Sequence, residues 1–152
     1  MEMSQRNQGH QTTKRHTIWR RVLLVLCLFV AVGALGGGGL VVIAPDGSLL
    51  GAQAIIPELH NIPLVGPHLD SLLIPGCALL LFVFVPQTIA SILLLGKHPK
   101  QYTAGIICGA IMAVFTIVEI VFLPNFLSWI FLFFAVVEIC AAVLCMRSSQ
   151  SR

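Results

Sequence analysis

The fold of this chain is decided by residues 14–44, which read KRHTIWRRVLLVLCLFVAVGALGGGGLVVIA. Basic residues crowd the start of this stretch, and an uncharged apolar run follows from Val22 to Ala44. A membrane-spanning helix needs roughly 20 apolar residues. The alternative is a cleaved signal peptide, whose apolar core normally has only about 7–15 residues. We therefore predict a retained transmembrane helix.

Three further apolar runs qualify as spans, namely Leu72–Leu95, Tyr102–Leu123 and Phe126–Met146. The 152 residues are 57% hydrophobic and only 10% charged, whereas soluble domains carry about 25% charged residues. Such a chain has too little polar surface to cover itself, so the lipid bilayer is the expected surrounding. The basic residues flank spans, so we expect them to meet anionic headgroups and expect no nucleic-acid partner.

The distribution of positive charge predicts the orientation. The nine Lys and Arg residues lie before the first span, between the second and third spans, and after the fourth span: Arg6, Lys14, Arg15, Arg20, Arg21, Lys97, Lys100, Arg147 and Arg152. Positive charge stays cytoplasmic during insertion. We predict an all-α antiparallel bundle of four transmembrane helices in the cell membrane, with both termini cytoplasmic. It divides into a disordered tail (1–17), a membrane domain (18–146) and a short cytoplasmic tail (147–152).

The extracytoplasmic loop, residues 45–71, is long and unusually apolar. Its first residues, Pro45–Ser48, predict a turn in which Asp46 or Ser48 caps a short helix. Such a helix would form a lid over the bundle; lying flat in the headgroup region is the equal alternative. At the far end of the loop, Asp70 is expected to cap the second span.

Glycines and a proline predict where helices touch or bend. Small residues four apart let transmembrane helices approach closely, so Gly33 with Gly37, and Gly105 with Gly109, predict tight contacts. The cluster 36–39 predicts local helix distortion as the alternative. Pro86 lies in the middle of the second span and predicts a kink there.

Glu119 is a candidate functional residue because a carboxyl group inside a span is costly. It continues a stripe of the third span at Gly105, Gly109, Met112 and Thr116, whose spacing of four and three residues places them on one face. The face is predicted to point inward, toward the glycine cluster and Gly76. Three roles stay open: hydrogen bonding that holds the loop, a proton or cation site, and ligand binding.

Glu138 is the second acid inside a span, roughly 18 Å into the fourth helix, against roughly 6 Å for Glu119. The two are therefore expected to form separate sites. Gln87 and Thr88 lie at a depth similar to that of Glu138, so a neutral Glu138 hydrogen-bonded to either is predicted. The same arrangement suits structural pairing or proton transfer.

Catalytic, metal and cofactor patterns are not found in the sequence. The acidic and histidine residues of the loop match no known metal cluster, a statement that covers Glu58, His60, His68 and Asp70. All five cysteines fall within predicted spans and form no C-x-x-C pair. We expect no catalytic residue, no metal and no cofactor.

Two short motifs resemble a group of small, uncharacterised bacterial membrane proteins. They are Pro45-Asp46-Gly47-Ser48-Leu49-Leu50-Gly51 and Leu69-Asp70-Ser71-Leu72-Leu73-Ile74-Pro75-Gly76. The resemblance covers roughly residues 30–123 and implies four helices in a bacterial cytoplasmic membrane, without implying an activity. The group has Ser-Pro-Phe or similar before the second helix, whereas this chain has Val65-Gly66-Pro67-His68.

Three functions are compatible with the sequence. The leading hypothesis is a non-enzymatic membrane component that is structural or binds a partner, either another membrane protein or a second copy of itself. The first alternative is a small proton-coupled transporter that uses Glu138 or Glu119. The second alternative is an intramembrane enzyme that acts on lipids.

Overall fold

The computed structural model describes residues 2–59, 70–122 and 126–150, and every regular element within them is helical. Four helices are long and apolar enough to cross a membrane, over Thr17–Ile43, Leu73–Leu95, Gln101–Phe122 and Phe126–Ser149. Each of the four predicted spans therefore coincides with an apolar helix of sufficient length, and the first of these helices begins earlier than predicted.

The helices are numbered here in chain order. Helix α1 covers Glu2–Ile43, α2 covers Leu73–Leu95, α3 covers Gln101–Phe122 and α4 covers Phe126–Gln150. Residues 2–17, for which the sequence predicts a disordered tail, belong to helix α1. The disorder of this tail stays a prediction.

Small side chains fill the space between the helices. One buried cluster contains Leu23, Cys27, Ala90, Leu94, Tyr102, Cys108, Ala141, Ala142 and Cys145, and a second contains Val30, Ala34, Val83, Met112 and Ala135. Alanine and cysteine let backbones approach closely, which favours van der Waals packing between transmembrane helices. Large apolar side chains such as Val32 and Val121 point outward, where lipid can contact them.

Glycines mark the closest contacts between the helices. A Cβ at Gly109 of α3 would lie 2.7 Å from a side-chain carbon of Ile139 in α4, and one at Gly76 of α2 would lie 2.7 Å from Val41 in α1. The predicted packing role of Gly109 is therefore confirmed. Gly105 also has close neighbours, at 3.2 Å and beyond.

The predicted tight contact at Gly33 is wrong. A Cβ built on Gly33 meets no atom within 4 Å, and one on Gly37 meets only a leucine methyl group at 3.7 Å. Gly38 makes the close contact instead, since its Cβ would lie 3.1 Å from the carbonyl oxygen of Gly76. The rotation of α1 about its axis therefore turns Gly38, and not Gly33, toward α2. The alternative of local distortion is not observed, because α1 remains helical through the glycine cluster to Ile43.

At Pro86, where the sequence predicts a kink, the structure has a π-helical turn just before the proline. This turn, Leu80–Phe84, joins the α-helical parts Leu73–Leu79 and Val85–Leu95 of α2. A proline cannot donate a backbone hydrogen bond and its ring crowds the preceding turn, and a wider turn is a known way to accommodate such an interruption.

The described part of the loop folds against one end of the bundle, which we call the loop end. It contains two 3-10 turns, Ser48–Leu50 and Gln53–Ile55, and the short helix Ile56–Leu59. Leu59 is fully buried against Val41 and Leu72, whereas Leu49 is 57% exposed. The segment therefore has a lid-like buried side and an apolar outer side.

At the opposite end of the bundle, which we call the basic end, an arginine connects α1 to α2 and α3. The guanidinium of Arg20 in α1 donates to the carbonyl oxygen of Leu94 at 2.6 Å and to Oε1 of Gln101 at 3.3 Å. A cation beside the final carbonyls of α2 is favourable because helix C-termini carry partial negative charge.

Candidate functional site

Glu138 lies at the centre of a hydrogen-bonded group that joins three helices. It has no exposed surface. The side-chain nitrogen Nε2 of Gln87 in α2 donates to its Oε2 at 2.8 Å, and the Sγ of Cys27 in α1 donates to its Oε1 at 3.3 Å. Both donors are themselves buried. The group therefore connects α1, α2 and α4 through one carboxyl group.

The predicted pairing of Glu138 is confirmed for Gln87 and not found for Thr88. The Thr88 hydroxyl donates to the carbonyl oxygen of Phe84, one turn back in its own helix, at 2.8 Å. Because the side chains of residues 87 and 88 point about 100° apart on a helix, only one of them can face α4. Depth along the helix predicted the pair but not this rotation.

Cys27 is the partner that the sequence prediction missed. Its thiol is a weak donor, and the depth comparison that paired Glu138 with Gln87 or Thr88 did not consider thiols. Including every side chain with a hydrogen-bond donor would have made Cys27 a candidate as well. A second thiol acts similarly nearby, since the Sγ of Cys108 donates to the carbonyl oxygen of Pro86 at 3.1 Å.

Within the described residues, the carbonyl oxygen of the Gln87 side chain has no hydrogen-bond partner. This Oε1 atom is buried, while Nε2 of the same side chain also approaches the sulfur of Met112 at 3.7 Å. Among the described residues, no charged group pairs with Glu138. Full burial without a counter-charge favours a neutral carboxyl group over a charged one, although the two hydrogen-bond donors act in the opposite direction.

Glu119 occupies a different environment near the loop end. It is half-buried, and its carboxyl group interacts with the Ser128 side chain of α4. The predicted inward stripe of α3 is confirmed, because the stripe residues before Glu119 are all buried. Among the described residues, Glu119 and Glu138 share no hydrogen-bond partner, in agreement with the prediction of two separate sites.

Glu119 lines two cavities. One has a volume of about 150 Å³ and lies between α1, α2, α3 and α4, where it is lined by Gly33, Ala34, Gly37, Leu79, Val83, Met112, Phe115, Thr116, Glu119, Leu127 and Phe131. The other has a volume of about 120 Å³ and also contains Gly76. Neighbours predicted for Glu119, the glycine cluster and Gly76, are thereby confirmed.

The predicted hydrogen bonding between Glu119 and the loop is not seen in the described part of the loop, residues 45–59 and 70–71. Its interaction with Ser128 connects α3 to α4 instead. Residues 60–69, which include His60 and His68, lie outside the described residues. Within the described residues, no three His, Cys, Asp or Glu side chains are grouped as a metal site would require.

The turn predicted at Asp46 and Ser48 is confirmed, but the predicted cap is not, because Gly47 occupies the N-cap position of Ser48–Leu50. Oδ1 of Asp46 accepts hydrogen bonds from the hydroxyl of Ser48 at 2.8 Å and from its backbone N–H at 3.1 Å. These bonds, chiefly the one from the hydroxyl, hold the pKa of the exposed Asp46 carboxyl below its ordinary value. Gly47 adopts a left-handed conformation, φ 73°, which favours glycine.

The predicted cap of α2 needs correction. Leu72, rather than Asp70, occupies the N-cap position, and it makes no side-chain cap hydrogen bond. The backbone N–H of Leu72 donates instead to the carbonyl oxygen of Pro45 at 2.8 Å, and a Cβ on Gly47 would lie 2.8 Å from the Leu72 side chain. The loop therefore positions the start of α2, so that the two distinctive sequence motifs meet in space.

Comparisons with protein-family models, with curated proteins and with solved structures found no match to this chain. The function is therefore argued from the arrangement of its own residues.

Proposed function

We propose that this protein is a non-enzymatic, multi-pass component of the cell membrane that acts by binding a membrane-protein partner. The proposal retains the bacterial membrane-protein resemblance of the loop motifs. It treats the bundle as antiparallel, with both termini cytoplasmic and the 45–71 loop outside. Contacts of Arg20 with Leu94 and of Gly38 with Gly76 support the antiparallel arrangement of α1 and α2.

The observation that carries the partner proposal is an exposed stripe on α1, which we call the α1 stripe: Phe29, Gly33, Gly36 and Leu40. Their spacing of four, three and four residues places them on one face. A Cβ on either glycine would meet no atom within 4 Å. These glycines therefore contribute nothing to packing within the chain, whereas small residues on an outer face suit the close approach of another transmembrane helix.

The enclosed position of Glu138 supports a structural role over proton transport through that residue. It has no exposed surface and contributes to neither cavity described above. A carrier group must exchange protons or ions with water on both sides in turn. The second candidate function, a small proton-coupled carrier, is supported only at Glu119, whose carboxyl group reaches two cavities. No feature of the described residues favours the lipid-acting enzyme.

Site-specific photocrosslinking in native membranes tests the partner proposal. A benzophenone amino acid is placed at Phe29 or Leu40 on the α1 stripe, and at the exposed Val114 of α3 as the control. We expect a discrete adduct from the stripe positions, none from Val114, and loss of the adduct when Gly36→Leu is added. An adduct of twice the chain mass would identify the partner as a second copy.

Two results would contradict the proposal. One is the absence of any protein adduct from the stripe positions while the reagent labels lipid normally. The other is an equal adduct yield from Val114, which would indicate random collisions in the membrane.

The proposed orientation is tested by cysteine labelling in intact cells. Exposed Cys77 and Cys140 are first replaced by alanine, and His60→Cys or His98→Cys is then introduced. An impermeant maleimide should label residue 60 and not residue 98. The reverse pattern would refute the orientation.

A further inference from the structure

The two cavities at Glu119 combine one acidic group with otherwise apolar walls. Among the described residues, Glu119 is the charged side chain that lines both of them. The larger cavity is also lined by Thr116, whose hydroxyl donates to the backbone carbonyl of Met112 in its own helix. The polar character that the described residues give to the cavity therefore comes chiefly from Glu119.

The larger cavity has room for a small apolar group. At about 150 Å³ it equals the volume of an engineered protein cavity that binds benzene. Phe115 and Phe131 contribute aromatic rings to its wall. Such rings attract cations as well as apolar groups, because their faces carry partial negative charge.

Glycine keeps this space open. Gly37 lies on the α1 wall of the larger cavity, and a Cβ built on it would meet only a methyl group of Leu79, at 3.7 Å. A larger apolar side chain at that position would fill the volume and increase packing. Its absence indicates space that a ligand can occupy, and this observation is independent of the carboxyl group.

From these features we propose that the Glu119 cavity binds an ammonium ion attached to a small apolar group, such as an aralkyl or alkyl amine. The carboxylate would pair with the ammonium group, and the apolar part would occupy the space between Gly37 and Leu79. A metal cation fits poorly, because a single carboxylate among apolar walls cannot supply the six to eight oxygen ligands of Ca²⁺ or the octahedral shell of Mg²⁺. This inference does not depend on the partner proposal.

Fluorine NMR of 4-fluorobenzylammonium tests the proposal with the full chain in phosphatidylcholine nanodiscs. Empty nanodiscs measure partitioning into lipid, and neutral 4-fluorobenzyl alcohol measures binding without charge. We expect saturable line broadening by the ammonium probe. Glu119→Gln should weaken its binding at least tenfold, because the amide retains the shape and loses the charge.

A pair of glycine variants separates the cavity from general changes to α1. Gly37→Leu should weaken binding at least tenfold by filling the space, while Gly36→Leu, outside the cavity lining, should leave it unchanged. Circular dichroism and size-exclusion chromatography identify any variant that does not fold, and Glu119→Gln remains decisive if Gly37→Leu is lost. Photocrosslinking of the α1 stripe remains a separate measurement, so that either proposal can fail alone.

Lipid composition distinguishes two sources of the ammonium group. Weaker probe binding in nanodiscs that contain phosphatidylethanolamine would assign the site to a lipid headgroup amine. Unchanged binding would assign it to a soluble amine. The proposal is overturned if the probe does not bind saturably, if Glu119→Gln binds it equally well, or if the neutral alcohol binds as tightly and with the same dependence on Glu119.

Discussion

Glu138→Gln should leave the bundle about as stable as the wild type, whereas Glu138→Leu should destabilise it by about 1–3 kcal/mol. The carbonyl oxygen of the introduced Gln can still accept the hydrogen bond from Gln87. Its amino group replaces the hydroxyl donor of the neutral acid and can donate to the buried Oε1 of Gln87, which has no partner within the described residues. The amide variant therefore keeps the hydrogen-bonding capacity of a neutral carboxyl group.

The magnitude for Leu follows from the donors it leaves behind. The Nε2 of Gln87, 2.8 Å from the carboxyl group, and the thiol of Cys27, at 3.3 Å, both lose their acceptor. A buried donor without a partner costs about 1–3 kcal/mol. Single hydrogen bonds between membrane helices average about 0.6 kcal/mol, so the lower half of this range is expected if the helices relax.

Unfolding in mixed micelles at increasing SDS content, followed by circular dichroism, measures both variants against the wild type. Val136→Leu, a change on the exposed face of α4, controls for altering this helix without touching the buried group. Equal destabilisation by Gln and Leu would refute the reasoning, because it would show that acidity, and not hydrogen bonding, is what the fold requires.

Three further predictions concern the loop end. Glu119→Leu should cost more than Glu119→Gln in the same SDS titration, because Leu removes the polar interaction with the Ser128 side chain of α4 and Gln can keep it; equal costs would contradict this role. Gly47→Ala should destabilise more than Gly51→Ala: both glycines have positive φ, 73° and 62°, but only the Cβ at residue 47 would meet atoms closer than 3.0 Å, so equal losses would contradict the contact. Finally, the Asp46 turn should be complete at neutral pH and weaken as the pH falls through the lowered pKa of that carboxyl, since protonation removes the charged acceptor of Ser48. The protection factors of the turn amides, which correct for the slower intrinsic exchange at low pH, should fall on acidification in the wild type but not in Asp46→Ala.

The spans could be predicted from the sequence because hydropathy and length alone define them. The pairing of Glu138 with Gln87 could be predicted as well, since two polar residues at equal depth in apolar surroundings have few other partners. The sequence did not predict how each helix is rotated about its own axis. The glycine cluster of α1 presents glycine on nearly every face, so which glycine meets α2 depends on the packing of all four helices.

The start of α2 illustrates a second limit. Asp70 is a favourable N-cap residue, and local preference placed the cap there. In the structure, Leu72 occupies that position because its side chain packs on the loop and its backbone N–H reaches Pro45. A contact between residues so far apart in sequence outweighs a local preference, and only the folded chain reveals it.

The central claim is that Glu138 is an enclosed, neutral hydrogen-bonding group and not a carrier of protons or ions. Infrared difference spectroscopy of purified protein, with Glu138→Gln to assign the band, tests it most directly through a pH titration. We expect an infrared band from the protonated carboxyl group of Glu138 at pH 7, and we expect its proton to exchange slowly in D₂O. An ionised carboxylate band from Glu138 at pH 7 would contradict it and would make the proton-coupled carrier the leading function.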